Sequence, residues 1–270
     1  MSRITDTFAR RKSEGRAALV VFITAGDPDL ATTEALVPAL AAAGADVIEL
    51  GVPFSDPLAD GPTIQLADER ALRHDVSLTQ IVGLVASLRA RVTAPLVLMG
   101  YYNPILKFGP DAFIAASARA GVDGLIVPDL PPEEGEAFFQ TAADSGLDPI
   151  LLLAPTSTGP RIERAAALSR GFLYYVSLTG VTGARVALAA DIGEHVAAIR
   201  ARTQLPVAVG FGVSTPEQAA EVAGVADGVV VGSALVEHIA RGTSPAERVS
   251  LAKEFVGALR AALDAAPRRS

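Results

Sequence analysis

The chain has 270 residues, half of them hydrophobic, with a formal net charge of -7 and a pI near 5.0. It is long enough to bury a full core, and its acidic balance argues against nucleic acid as a partner. The absence of cysteine excludes disulfides, thiolate metal sites and cysteine nucleophiles, and with neither an apolar leader nor a membrane-length run in the sequence the expectation is a soluble, cytoplasmic protein.

Taken in order, Ile4 and Phe8 lie four apart in a polar, basic segment, which predicts a short extra helix within residues 1–15. Eight strand-like stretches follow, at 18–24, 46–51, 95–103, 123–129, 149–154, 172–177, 206–211 and 227–232. Helical patterns separate most of them, and a last helix over 246–263 leads into a polar tail expected to fray over 265–270. No linker, low-complexity stretch or charge block divides the chain, so residues 1–270 form one expected domain. Alternating strands and helices call for a parallel α/β sheet, and eight units in about 250 residues fit a (β/α)8 TIM barrel. A doubly wound open sheet would show a glycine fingerprint after its first strand, and none is present. The segments at 43, 120 and 223 (AGADVIEL, AGVDGLIV, AGVADGVVV) each place a helix-ending glycine before a new strand. Shared junction chemistry explains this weak repeat at least as well as duplication does.

The stretch 45–65, ADVIELGVPFSDPLADGPTIQ, carries the chemistry. Side chains alternate along a strand, so Ile48 and Leu50 point one way and Val47 and Glu49 the other. Both faces are apolar, as in a sheet covered on both sides, so Glu49 is expected to be buried. A buried carboxylate without a partner keeps its proton to higher pH, where proton transfer is useful. Asp60 follows in the loop after the same strand, and two acids in different surroundings suggest two roles. A salt-bridged structural glutamate and a helix-capping aspartate are the plain alternative.

In a barrel the site forms at the C-terminal ends of the strands. Glycine-bearing junctions end strands six, seven and eight, at 179–183, 210–214 and 231–234. Such junctions let backbone N–H groups approach an anion, and the turn at Ser233 opens a helix whose N-terminus favours negative charge. A small phosphorylated substrate is the implication. Lys12, Lys107 and Lys253 lie off the strands, so no amine is placed for a Schiff base. His74, His195 and His238 are scattered over helical stretches, and no metal site is expected. The long, small-residue segment 180–193 reads as a lid that closes over the site, or as an ordinary surface loop.

These residues resemble the tryptophan synthase alpha chain family. The block GVPFSDPLADGPTIQ (51–65) is its most distinctive, and LMGYYNP (98–104), LIVPDLPPEE (125–134), YYVSLTGVTGAR (174–185), PVAVGFGVS (206–214) and GVVVGSALV (228–236) follow in the family's order. The resemblance implies cleavage of indole-3-glycerol phosphate to indole and glyceraldehyde 3-phosphate, a retro-aldol reaction without metal or cofactor. It implies Glu49 as general acid–base, Asp60 as the group facing the indole N–H, Tyr174 as the active-site tyrosine and Thr182 as a lid threonine. By the same resemblance Gly183, Gly212, Gly232 and Ser233 hold the phosphate, and Phe22, Ile64, Tyr101 and Phe211 line the indole pocket. The implied partner is a beta chain carrying pyridoxal phosphate, in an alpha2beta2 heterotetramer, met through Pro53, Asp56 and Pro57 and through Asn103 and Phe108. Some members have arginine where this chain has Leu178, which leaves the details of lid closure open. Two rivals stand beside this reading: another phosphate-binding barrel lyase or isomerase, and a catalytically silent activating subunit.

Overall fold

The computed structural model describes residues 2–177, 185–210 and 212–266, with only the backbone described from 185 to 191. The first half of the chain runs α1 (Arg3–Ser13), β1 (Ala18–Thr24), α2 (Leu30–Ala42), β2 (Val47–Gly51), α3 (Pro62–Leu72), α4 (Leu78–Leu88), β3 (Leu96–Met99), α5 (Tyr102–Phe108), α6 (Pro110–Ala120) and β4 (Gly124–Ile126). The second half runs α7 (Pro132–Asp144), β5 (Asp148–Pro149), β6 (Leu152–Leu153), α8 (Gly159–Leu168), β7 (Leu173–Val176) and α9 (Arg185–Arg200). It ends with β8 (Val207–Gly210), α10 (Pro216–Ala223), β9 (Gly228–Val231), α11 (Ser233–Arg241) and α12 (Pro245–Ala265).

All strand pairs are parallel, in the order β5-β4-β3-β2-β1-β9-β8-β7-β6. The two ends of that order are halves of one strand. Within it the Ile150 N–H donates to the Leu125 carbonyl at 2.9 Å, and the Tyr174 N–H donates to the Leu151 carbonyl at 3.1 Å. Residues 148–153 therefore join β4 on one side to β7 on the other and close the expected eight-stranded barrel, the fifth strand being split in two.

Side-chain alternation sorts the core into two shells. Leu19, Val21, Ile48 and Leu50 face outward into the large cluster shared with the helices, whereas Val20, Val47, Val97, Ile126 and Phe172 fill the barrel interior. Ile4 and Phe8 of α1 are buried in that interior cluster, with Phe8 5.0 Å from the Phe172 ring. The extra N-terminal helix thus plugs the bottom of the barrel, and functional groups are confined to the top.

Several boundaries differ from those expected, each for a local reason. The strand expected over 95–103 stops at Met99, because α5 begins at Tyr102. Pro104 sits in the first turn of α5, where a missing N–H breaks no intrahelical bond. The strand expected over 123–129 stops at Ile126, before Pro128, which has no N–H to donate to a ladder. The segment expected as a loop over 180–193 is helical from Arg185 onward, and residues 178–184, which hold the rest of it, lie outside those described. The tail expected to fray from 265 remains helical at Ala265. His74, expected on a helix, falls in the turn after α3. Of the three repeat glycines, Gly44 and Gly121 take positive φ, while Gly224 stays right-handed at φ -63°.

The same repeats carry an aspartate at each strand start that fixes sheet register. Asp46 accepts from the Leu19 N–H, Asp123 from the Leu96 N–H and Asp227 from the Val207 N–H, all at 2.8 to 2.9 Å. Each bond reaches across to the neighbouring strand, and each aspartate also pairs with arginine. Asp46 is the most enclosed, gripped by Arg11 at 2.7 Å and by buried Arg260 at 3.0 Å. Removing it leaves the buried Arg260 only the half-exposed Asp264, 2.7 Å away, as a carboxylate partner, so Asp46→Ala should destabilise the fold by about 3 kcal/mol. Urea unfolding checks this; a loss under about 1 kcal/mol would mean the cluster is replaceable by water.

Candidate active site

Glu49 sits in the middle of β2, between Val47 and Gly51 on the inward face. Its neighbours across the ladder are Phe22 and Val97. It has no solvent exposure, and neither carboxylate oxygen has a hydrogen-bond partner among the described residues. Burial alone pushes its pKa up to about 8. The group therefore holds its proton near neutrality and sits close to the point of releasing it. Above it, Gly51 has no side chain because a Cβ there would meet the Phe22 ring at 2.4 Å.

Asp60 lies in the loop between β2 and α3, half-buried at the cleft wall. Its carboxylate accepts a 2.8 Å hydrogen bond from the Tyr101 hydroxyl, which in turn accepts from the Ala59 N–H at 2.8 Å. Burial raises the Asp60 pKa and the Tyr101 hydrogen bond opposes that rise. The Tyr101 phenol is itself pushed above its ordinary range, by burial first and then by Asp60. One acid is thus buried bare and the other is held by a donor, the two environments that give carboxyl groups separate roles.

Tyr174 points inward from β7, and its phenol is raised well above 10 by burial, with Glu49 and Asp60 adding negative charge nearby. Gly210 on β8 makes room for it: a Cβ there would stand 2.7 Å from the Tyr174 oxygen.

A cleft of about 410 Å³ opens over these groups at the C-terminal ends of the strands. Phe22, Ile64, Met99 and Leu152 supply apolar wall on one side. Gly212, Gly232 and Ser233 bring backbone to the other, with Ser233 opening the nine-residue helix α11. The N–H groups of a first helical turn have no intrahelical acceptor and favour an anion. The cleft is therefore apolar at one end and suited to an anion at the other. A hollow of similar size, about 420 Å³, lies at the opposite end beside Lys12, Arg16 and Arg200. It has neither the paired acids nor the glycine-bearing strand ends.

Of the residues singled out from the sequence, Phe22, Asp60, Ile64, Tyr174, Gly212, Gly232 and Ser233 all border the cleft. Glu49 lies beneath its surface, and Tyr101 stands behind Asp60 on a small void next to the cleft. Thr182, Gly183 and Phe211, like Leu178, lie outside the described residues. Sequence reasoning passed over Met99, Leu152 and Pro128 in the wall, and it missed Asp68. That acid is buried on α3 and its pKa is raised to about 7, by burial first and then by Asp60. A charged residue interrupting the apolar stripe Ile64, Ala67, Ala71 was the signal that could have found it.

The surface proposed for a partner is also legible. In the loop after β2, Pro53 is buried within the chain and so drops out of that surface, while Asp56 and Leu58 are exposed, Leu58 at 93%. Asn103 and Leu106 are exposed on α5, and Phe108 is only partly so. The two segments are joined by the Phe54 and Tyr101 rings, 5.2 Å apart.

Comparison with known proteins covers nearly the whole chain. The family model described as tryptophan synthase alpha chain matches residues 8–264. A relative named tryptophan synthase alpha chain from Geobacter sulfurreducens is 57% identical over 263 residues, 97% of this chain and 99% of the relative. Among solved structures, tryptophan synthase subunit alpha from Legionella pneumophila superposes with a TM-score of 0.90 at 39% identity, covering 98% of this chain and 99% of that one. A tryptophan synthase from M. tuberculosis, in an aminoacrylate- and BRD0059-bound form, gives 0.87 at 37% identity, covering 97% and 98%.

The bare burial of Glu49 has a thermodynamic consequence. Its folded pKa of about 8 lies above the ordinary 4.5, so the native state binds the proton more tightly than the unfolded chain. Its stabilising contribution is complete below about 4.5 and is lost as pH rises towards 8, by at most about 1.4 kcal/mol per unit. Glu49→Gln lacks this penalty and should gain stability over wild type steadily between pH 5 and pH 8. Urea midpoints measured across that range test it; a constant difference would mean Glu49 is ionised throughout.

Proposed function

The chain belongs to the tryptophan synthase alpha chain family, and from that premise we propose how its residues divide the cleavage of indole-3-glycerol phosphate into indole and glyceraldehyde 3-phosphate. The observation that carries the proposal is Glu49, buried without a partner beneath a cleft whose wall holds a hydrogen-bonded second acid.

In this reading the indole ring lies against Phe22 and Ile64, with Phe211 beside it and Tyr101 backing Asp60. The phosphate meets the backbone N–H groups of Gly212, Gly232 and Ser233, together with Gly183. Protonated Glu49 delivers its proton to the ring carbon that bears the glycerol chain. That step puts positive charge on the ring nitrogen, and the Asp60 carboxylate, facing the indole N–H, stabilises it. Ionised Glu49 then takes the proton of the neighbouring glycerol hydroxyl. As that oxygen becomes the aldehyde carbonyl, the carbon–carbon bond breaks and its electron pair returns to the ring, restoring neutral indole. A pKa of about 8 suits a group that must give and regain one proton in each turnover. Tyr174 borders the reacting end of the cleft, and Thr182 belongs to the segment read as a lid. No step requires a metal or a cofactor on this chain.

A beta-chain partner goes with the family. We place its contact on the exposed part of the loop after β2, at Asp56, Pro57 and Leu58, and on α5 at Asn103, Leu106 and Phe108. Two exposed leucines on adjoining segments support this choice, since apolar side chains are costly to leave in water. The assembly would be an alpha2beta2 heterotetramer in the cytoplasm, with pyridoxal phosphate only on the beta chain and indole passed to it. Among the described residues, no helix is long and apolar enough to cross a membrane.

The test is indole release from indole-3-glycerol phosphate by the purified chain, with and without a beta chain. Release by the chain alone, accelerated by the partner, is the expected outcome. Glu49→Gln should lose about three orders of magnitude or more in kcat while still binding the partner. No release by the wild-type chain under either condition, with the fold intact, would instead make this a silent activating subunit.

A further inference from the structure

The helix after β2 carries an acid that the proposed chemistry leaves unused. Asp68 lies on the face of α3 buried by Ile64, Ala67 and Ala71, and is only 4% exposed. It stands one helical turn beyond Ile64, so both side chains leave the helix in the same direction, towards the barrel mouth. The cation two residues further on does not neutralise it, because Arg70 is held in bidentate fashion by Asp27 at 2.6 and 2.7 Å.

Asp68 and Asp60 border one small void, which Phe22, Met99, Tyr101 and Pro128 help to close. Phe22, Asp60, Met99 and Pro128 also wall the cleft. The void therefore lies directly behind the acid assigned to the indole N–H. Burial above all, then the charges of Asp60 and Asp27, push Asp68 up to about 7 against the pull of the Phe54 N–H and the Thr24 hydroxyl. Among the described residues, Tyr101, which donates to Asp60, the Arg70 and Glu69 side chains, and Glu237 of α11 are further charged or titratable groups on Asp68's own helix or the elements beside it. Glu237 accepts a 2.9 Å hydrogen bond from Thr63 at the start of α3.

We propose that Asp68 is a positioning residue for Asp60: while Asp68 is protonated, Asp60 alone carries the negative charge of the pair that the indole ring covers, and ionisation of Asp68 weakens substrate binding. The physical reason is desolvation. An indole ring seated on Phe22 and Ile64 excludes water from Asp60 and from the void behind it. Drying one carboxylate that keeps a phenol donor is tolerable, whereas drying two like charges at one void is far more costly. Binding thus selects the singly charged pair, and above neutrality it draws a proton onto Asp68.

The inference rests on Asp60 being the indole-facing acid, and the experiment separates the two claims. KM and kcat for indole-3-glycerol phosphate are measured from pH 6 to 9 in wild type, Asp68→Asn and Asp60→Asn. Wild-type KM should rise about fivefold more than that of Asp68→Asn between pH 6.5 and 8.5, since one unit of protonation is about tenfold in affinity at most. At pH 6.5 the amide copies the neutral acid, so kcat of Asp68→Asn should stay within about threefold of wild type. Identical KM profiles for wild type and Asp68→Asn would overturn the inference, as would loss of kcat at every pH in a folded Asp68→Asn protein. Unimpaired Asp60→Asn would overturn the Asp60 assignment itself. Should Asp68→Asn fail to fold, calorimetry on Glu49→Gln, in buffers of different ionisation heat, provides the check. An indole alkyl phosphate should draw in more protons at pH 7.5 than a short alkyl phosphate without the ring, whose phosphate ionises alike, and equal uptake by the two would overturn the inference.

Discussion

Desolvation of one carboxyl group organises the upper half of this barrel. Glu49 is carried into the interior by strand alternation, closed in by Phe22 and Val97 across the ladder, and left without a donor among the described residues. A protein interior tolerates such a group by keeping its proton, and that proton is the one the proposed mechanism uses. The same site sets a conflict between stability and activity, because an amide in this position would suit the fold better above neutral pH. Asp60 shows the opposite treatment, with a phenol donor that favours its charge. Tyr101, expected in the indole pocket, is the residue that supplies this donor.

The lower half supplies the rigidity on which that strained arrangement depends. Charges there are buried or half-buried, but each meets a partner: Asp46, Asp123 and Asp227 cross-link strand starts and bind arginines, while Ile4 and Phe8 fill the interior between them. Paired acids at the bottom hold the register, and the bare acid at the top is the one to which we assign the proton transfer. The difference lies in what surrounds each carboxylate.

Much of this was legible in the sequence because it depends on periodicity. Eight alternating units gave the barrel, and the two-residue period around Val47 to Leu50, apolar on both faces, gave the burial of Glu49 but not which face it takes. Ile4 and Phe8, one helical turn apart, gave the extra N-terminal helix, though not its place in the barrel interior. What escaped depends on contacts between distant segments. The Tyr101 to Asp60 hydrogen bond spans 41 residues, and nothing local in either segment announces it. The break in the fifth strand, between Pro149 and Leu152, comes from how its two neighbours pair with it and not from its own apolar run. Asp68 was missed for another reason: it is buried because α3 turns that face towards the barrel, and helix packing of that kind is not local to the sequence. Thr182, Gly183 and Phe211 rest on the family resemblance alone.

The central claim, that Glu49 is a neutral acid at physiological pH because burial leaves its charge unsolvated, is open to direct observation. Carbon-13 NMR of the side-chain carboxyls, with Glu49→Gln used to assign the signal, would follow its titration in the folded chain. The account predicts a midpoint near 8, well separated from the exposed glutamates. A midpoint near 4.5 in the intact fold would contradict it, and would require a different proton donor for the cleavage.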